Sequence, residues 1–223
     1  ANEYETAVVE ARRYSRYLSR MLDSQPWLAP ALAASLGQPL RAEDMQRFIA
    51  ERETAFSDAE SALGPTLRRL RSWVMCNLIV RDLRLGAPLA EVTETMTGLA
   101  EVAVRHAHDE LRAALVQRYG QPLSPTGWEQ ELLVIGMGKL GGRELNVSSD
   151  IDLIFLYPED GDTGGAKVIS NFEFFERLGK QLIKALAEVT EHGQVFRVDM
   201  RLRPNGDSGP LVCSFDMLEN YFI

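Results

Sequence analysis

The chain has 223 residues, of which 45% are hydrophobic and 25% charged, and its 32 acidic and 24 basic residues give a net charge of −8 at pH 7. This acidic balance disfavours non-specific binding to nucleic acid or to an anionic membrane surface, because phosphate groups would repel it. The apolar runs are too short to span a bilayer and the two cysteines form no ligand pattern, so we expect a reduced, cytoplasmic protein. Without a signal peptide or an initiator methionine, and with an apolar end at 221–223, the chain is expected to be a fragment of a longer one.

Helical patterns dominate the first part of the chain. A short helix is predicted within 3–22, and residues 41–58 carry apolar side chains at the spacing of an amphipathic helix. Pro65 suits the first turn of the next helix, and 89–119 predict a long helix that ends at Gly120. Three arginines near Pro65 are expected to form a solvated helix face, or a contact with a partner: Arg68, Arg69 and Arg71.

The composition changes near residue 121 and indicates a second region of mixed helix and strand. Buried apolar runs and strict alternation predict its strands, over 132–135, 150–157, 195–202 and 211–213. Ser170 can cap a helix over 171–191. The predicted fold class is therefore α+β, with a helical region over 1–120 followed by a mixed-sheet core over 121–223.

Asp150 and Asp152 stand one residue apart at the start of the second predicted strand. Strand alternation places both side chains on one face, about 7 Å apart along the strand. Two adjacent carboxylates repel unless a cation lies between them, and hard oxygen ligands suit Mg²⁺. A solvated strand end that carries two acids would explain the same pair.

The strand predicted over 195–202 carries apolar residues on one face and charged residues on the other. Asp199 lies on the charged face and can supply a third metal ligand. Arg201 and Arg203 can hold phosphate oxygens, because a guanidinium group forms paired hydrogen bonds with them. Arg197 lies on the same face, and an edge strand with internal ion pairs is the structural alternative.

A glycine-rich segment, residues 136–142, follows the first predicted strand directly. Glycines allow a backbone to approach a phosphate group closely, and Lys139 adds a positive charge. The glycine spacing matches a dinucleotide-binding loop, but only 142–149 precede the next strand, which is too short for the helix that such a fold requires. A P-loop is excluded because Leu140 stands where serine or threonine is needed.

The order of these motifs resembles the nucleotidyltransferase superfamily, which has the DNA polymerase β-like fold. The motif comprises Gly138, then Asp150 and Asp152, then a later strand aspartate, Asp199. Lys139 departs from the superfamily signature, in which this position is usually serine. Two longer segments resemble the bacterial glutamine synthetase adenylyltransferases, and in particular their N-terminal, adenylyl-removing half: 136–155, and 196–204 with 209–212.

The resemblance implies a metal-dependent nucleotidyltransferase in which phosphate attacks the adenylyl-tyrosine of glutamine synthetase and releases ADP. It implies that Asp150, Asp152 and Asp199 are catalytic and hold Mg²⁺, with two ions expected. Nucleotide or phosphate contacts are implied for Gly138, Lys139, Ser148, Ser149, Arg201 and Arg203. The implied partners are adenylylated glutamine synthetase, a PII-type signalling protein, phosphate, and ADP or ATP.

Three other functions stay open at this point. The fragment could be catalytically incomplete and act as a regulatory module that binds a nucleotide or an effector. It could also work in the adenylylating direction with ATP. An NAD-dependent oxidoreductase, which the short spacing after the glycine segment disfavours, would have to bind NAD.

Overall fold

The structure, a computed structural model, describes residues 2–223 except the side chains of residues 59 and 60. The helical region consists of α1 (Glu3–Arg12), α2 (Arg16–Ser24), α3 (Leu28–Ser35), α4 (Ala42–Glu53), α5 (Ala59–Leu85) and α6 (Leu89–Tyr119). The single helix predicted within 3–22 is thus two helices. They are separate because Ser15 caps α2, with its hydroxyl accepting a hydrogen bond from the backbone N–H of Leu18.

The boundaries of the next helices are partly as predicted. Helix α5 begins before Pro65, which lies inside it, because the side chain of Asp58 caps the first turn by accepting from the N–H of Ser61. Helix α4 ends at Glu53, short of the predicted 58. The prediction for α6 is confirmed, and the helix ends where Gly120 takes a φ of +84°.

Among the described residues the second region contains six strands, three α-helices and a short 3-10 helix at Gly206–Ser208. Its strands are β1 (Pro122–Leu123), β2 (Leu133–Met137), β3 (Ile151–Tyr157), β4 (Asp162–Thr163), β5 (Val198–Asp199) and β6 (Val212–Ser214). Its helices are α7 (Gly138–Gly141), α8 (Asn171–Ala187) and α9 (Phe215–Phe222). Helix α8 ends before the predicted residue 191.

The main sheet is mixed, which confirms the α+β class. Strand β2 pairs antiparallel with one edge of β3. Strands β5 and β6 both pair parallel with the other edge, β5 beside Ile151–Asp152 and β6 beside Phe155–Tyr157. A separate two-stranded sheet joins β1 and β4.

The strand predicted over 195–202 is wrong in length, because only Val198–Asp199 pair with β3. The N–H groups of Val195 and Phe196 instead donate to the carbonyl of Leu186 at the end of α8. After β5 the chain leaves the sheet through a turn, so Leu202 is 53% exposed rather than buried. The chain returns to the same edge of β3 only at β6.

The prediction that 132–135 form a fully buried strand is also wrong. Leu133 and Ile135 are 38% and 39% exposed. Among the described residues strand β2 pairs only with β3, so it is an outer strand of the main sheet. One face of an antiparallel pair can stay open to solvent, and Leu133 and Ile135 lie on such a face, opposite Leu156 and Ile154.

One apolar core links the two regions. A single cluster of buried side chains runs from α1 to β6, across the predicted boundary at 120/121, which lies directly after α6. Helix α8 approaches the sheet closely at Gly179, where a Cβ atom would lie 2.9 Å from the ring of Phe155. Within the described residues, the helices lack the combination of length and apolarity needed to cross a membrane.

Arg68 was predicted on a solvated face, and this is wrong, because it is only 3% exposed. Its guanidinium group donates to the carbonyls of Ala185, Glu188 and Gly193, at distances of 3.1, 2.6 and 2.9 Å. These carbonyls lie at and beyond the C-terminal end of α8, where helical carbonyls lack partners of their own. Arg68 therefore anchors the helical region to the end of α8.

Candidate active site

The predicted acidic residues meet where β3 begins. Asp152 is the second residue of β3, and it lies opposite Asp199 in the parallel pairing with β5. On its other side Asp152 lies opposite Met137, the last residue of β2. Asp150 immediately precedes β3. The register therefore places Asp152 beside Asp199, as directly opposed residues share one face of a sheet.

Two of the three carboxylates are paired with arginines. Arg197 Nε lies 2.6 Å from Asp150 Oδ1. The guanidinium group of Arg201 donates hydrogen bonds to both carboxylate oxygens of Asp199. Its Nε lies 3.0 Å from each oxygen and its Nη2 lies 2.5 Å from Oδ2. The backbone N–H of Arg201 also donates to Asp199 Oδ1. These side-chain and backbone hydrogen bonds lower the pKa of Asp199 to about 2.

Asp152 has a different environment. Over residues 2–223 no hydrogen bond or ion pair reaches its carboxylate, which is partly buried. Burial raises the pKa of Asp152, the charges of Asp199 and Asp150 raise it further, and Arg201 opposes the rise. Asp152 is therefore a carboxylate without an ion-pair partner, close to two other carboxylates. A cation bound there would be stabilised by attraction to all three negative charges.

The donor set fits Mg²⁺ in chemistry, because all three groups are hard oxygen ligands with mutually unfavourable charges. In the described part of the chain, however, no three side chains of metal-binding type are gathered as a ligand set. Arg197 and Arg201 hold Asp150 and Asp199 instead. A cation that used all three aspartates would have to take over these arginine contacts.

The glycine segment brings the backbone against the acidic group. Gly138 has a φ of +54°, and a Cβ atom there would lie 2.6 Å from Asp152 Oδ2. Gly136 and Gly141 pack on each other, since a Cβ atom on Gly141 would lie 2.6 Å from the carbonyl oxygen of Gly136. Strands β2 and β3 on either side of the segment are antiparallel, whereas a dinucleotide-binding βαβ unit requires parallel strands.

The other predicted contact residues are placed differently. Lys139 and Ser148 are exposed. The carbonyl of Ser148 accepts a hydrogen bond from Arg197 Nη2 at 2.9 Å. Ser149 Oγ accepts from the N–H of Asn146 at 3.3 Å, which is a local turn contact. The structure thus assigns Ser149 a turn-forming contact.

Arg203 does not share the face of Asp199, and the expectation that it does is wrong. Its Nη1 donates to the carbonyl of Met200 at 2.8 Å and lies 3.6 Å from Asp207. Its side chain is only 13% exposed. The turn that ends β5 breaks the strand alternation on which the expectation rested.

The sequence pattern did not identify the partner of Arg197. Its position on the charged face beside Asp199 was the available signal, but alternation could not show that Asp150 would be its partner. Arg71 was also missed as a neighbour of this site. Its Nη2 donates to the carbonyl of Val147, three residues before Asp150, and no local pattern connects two segments so distant in sequence.

The mixed sheet, the glycine segment and the acidic residues at the start of β3 define a nucleotidyltransferase-like α+β domain. The sequence model of the glutamate–ammonia ligase adenylyltransferases matches residues 6–223. The chain belongs to this family.

Curated relatives are similar over almost the whole chain. It is 73% identical to a bifunctional glutamine synthetase adenylyltransferase/adenylyl-removing enzyme of Aromatoleum aromaticum, over 97% of the chain and 23% of that relative. It is 54% identical to the enzyme of the same name from Chromobacterium violaceum, over 97% of the chain and 24% of that relative. The chain therefore spans about a quarter of the length of these relatives.

Proposed function

We propose that this chain carries the adenylyl-removing site of a bifunctional enzyme that acts on glutamine synthetase. The observation that carries the proposal is Asp152, an unpaired carboxylate between Asp150 and Asp199 and against the backbone of Gly138. Family membership and the names of the relatives support glutamine synthetase as the protein substrate. A PII-type regulator is proposed as a further partner of the whole protein.

In the proposed reaction, an oxygen of inorganic phosphate forms a bond to the phosphorus of the adenylyl group. The bond from that phosphorus to the tyrosine oxygen breaks, and its electron pair leaves with the phenolate, which takes a proton from solvent. The products are ADP and unmodified tyrosine. When bound, Mg²⁺ would neutralise charge on the attacking and leaving oxygens.

The residues of this chain suit phosphate as the attacking group. Phosphate is already an anion, so the reaction has little need of a general base. It needs cationic groups that hold the phosphate beside the negatively charged adenylyl group. Arg201 lies beside Asp199 with a 74% exposed side chain, so its guanidinium group can exchange its carboxylate partner for a phosphate oxygen. Asp150, Asp152 and Asp199 would hold the metal.

The direction of transfer can be tested with the chain as it stands. Adenylylated glutamine synthetase, Mg²⁺ and radiolabelled phosphate should yield labelled ADP and unmodified glutamine synthetase. Labelled AMP transferred from ATP to unmodified glutamine synthetase, without ADP formation from phosphate, would instead identify an adenylylating site. Nucleotide binding without either transfer would favour the regulatory module and overturn the enzymatic proposal.

Replacing Gly138 with alanine should impair the site more than the fold. The new Cβ atom would displace the Asp152 carboxylate, which it approaches to 2.6 Å. We expect turnover to fall by roughly a hundredfold, since misplacement by about 1 Å has effects of that size. The positive φ adds a strain of roughly 1–2 kcal/mol to folding.

Gly86→Ala is the matched control for this variant. Gly86 has a φ of +67°, and a Cβ atom there would meet nothing within 4 Å. It should therefore show a similar loss in thermal stability with normal ADP formation. Equal turnover in the two variants would show that the contact between residue 138 and Asp152 is unimportant.

A further inference from the structure

One side chain of the helical region touches both segments that lead to the acidic residues. Arg71 lies on α5, and its Nη2 donates to the carbonyl of Val147 at 3.3 Å. Its guanidinium carbon lies 5.0 Å from the centre of the Phe196 ring. Val147 precedes Asp150 by three residues, and Phe196 precedes Asp199 by the same number.

Arg71 contacts the segment before β5 through its buried side chain, Phe196. Phe196 is only 3% exposed and faces the core, whereas its neighbour Arg197 is exposed and pairs with Asp150. Arg71 is half-buried and stacks on Phe196, so it contacts the buried side of the segment. It is therefore placed to position the acidic residues rather than to touch a substrate.

Burying Arg71 in this environment is unfavourable in free energy. Its Nη1 is buried without a hydrogen-bond partner among the described residues. An unmet buried donor costs free energy, and a buried charge costs more. The neighbouring Arg68, in contrast, has three carbonyl partners at and beyond the end of α8. The hydrogen bond and the ring contact of Arg71 run to the two acid-bearing segments, and its charge also lies near Tyr17 of α2 and Arg197.

We propose that Arg71 is a positioning residue through which α5 sets the separation of Asp150 and Asp199. The geometry that carries this is one guanidinium group bridging the segment before β3 and the segment before β5. Because Arg71 belongs to the helical region, a displacement of α5 would be transmitted directly to the carboxylates. The inference rests on the proposed function in assuming that these carboxylates hold Mg²⁺.

The test compares Arg71→Met with Arg69→Met. Methionine keeps an apolar stem over Phe196 but removes the hydrogen bond and the charge. Arg69 is the matched control, because it lies on the same helix, is also half-buried, and makes no hydrogen bond or ion pair with the described residues. Arg71→Lys keeps the charge but lacks the planar, forked donor group. It should therefore restore little of the Mg²⁺ affinity lost in Arg71→Met.

Two measurements decide the outcome. Calorimetric titration with Mg²⁺ alone should show roughly tenfold weaker binding for Arg71→Met, the usual effect of removing a group that orients metal ligands. Hydrogen exchange should become faster in 145–151 and 195–200 and stay unchanged in α1 to α4. Arg69→Met should resemble the unmodified chain in both.

A loss of thermal stability in Arg71→Met with unchanged Mg²⁺ affinity and unchanged local exchange would overturn the inference. Absence of Mg²⁺ binding by the unmodified chain would instead refute the metal site of the proposed function. In that case the exchange data would still decide the inference, because they report whether Arg71 holds the two segments together.

Discussion

Asp152→Asn is expected to reduce ADP formation by at least about a hundredfold, because it removes the central charge of the proposed metal site. Asparagine has nearly the same shape, so the fold should persist. Burial raises the pKa of Asp152 and the charges of Asp199 and Asp150 raise it further, which means that the folded chain resists ionisation of this group. Neutralising it should therefore leave the metal-free chain at least as stable as before.

The measurements are turnover at saturating Mg²⁺, direct Mg²⁺ titration, and thermal unfolding in a chelator. Asp82→Asn is the control, because Asp82 is an exposed residue of α5 and undergoes the same chemical change. Near-normal activity of Asp152→Asn would rule out a carboxylate-held metal as the centre of the reaction. A loss of activity accompanied by unfolding would contradict the expected stability.

Arg201→Ala is expected to raise the phosphate concentration needed for half-maximal turnover by roughly 10–100-fold. A charge-assisted arginine contact contributes about 1.5–3 kcal/mol, and each 1.4 kcal/mol is a factor of ten. The affinity for adenylylated glutamine synthetase should change much less. Lysine should be a poor substitute, since it carries the charge without the forked geometry.

The ion pair between Arg201 and Asp199 adds a second expectation. Its loss removes the hydrogen bonds that lower the pKa of Asp199 to about 2 and leaves that carboxylate beside Asp152 without a cation. Arg201→Ala should therefore bind Mg²⁺ more tightly, because the metal no longer competes with the guanidinium group for Asp199. In Arg201→Ala the phosphate concentration for half-maximal turnover should therefore rise, whereas the dissociation constant for Mg²⁺ should fall.

Arg12→Ala provides the comparison for Arg201→Ala. Arg12 forms an ion pair with Asp23 at 2.5 Å, the same distance as between Arg201 and Asp199, but within α1 and α2. It should leave both the phosphate requirement and the Mg²⁺ affinity unchanged. If Arg201→Ala altered only the constant for the protein substrate, Arg201 would belong to docking rather than to phosphate binding.

Several helices and strands were predicted correctly from local residue patterns. Period-3.6 apolar spacing and a terminal glycine placed α6 correctly at Leu89–Tyr119. The apolar alternation after Asp150 predicted β3, whose buried residues face one side as expected. Each of these signals lies within a few turns or one strand, where the backbone period relates sequence spacing to side-chain direction.

The predictions were wrong where contacts with a segment distant in sequence determine the local structure. Arg68 looks like part of a charged surface run, but the end of α8 supplies the carbonyls that make its burial favourable. The alternation over 195–202 is regular, yet the N–H groups of Val195 and Phe196 are taken by α8 and the chain turns away after β5. Arg203 therefore left the face on which alternation had placed it.

Local sequence signals were sufficient for the fold class, for the spacing of Asp150 and Asp152, and for the glycine-rich segment that precedes them. These follow from backbone periods and from residue types with few alternatives, such as a glycine at positive φ. Tertiary packing was needed to place Asp199 opposite Asp152, to pair Arg197 and Arg201 with the outer carboxylates, and to bring Arg71 into contact with both supporting segments. Strand register and the contacts of Arg71 depend on segments far apart in the chain, and their free energies are realised only when those segments pack together.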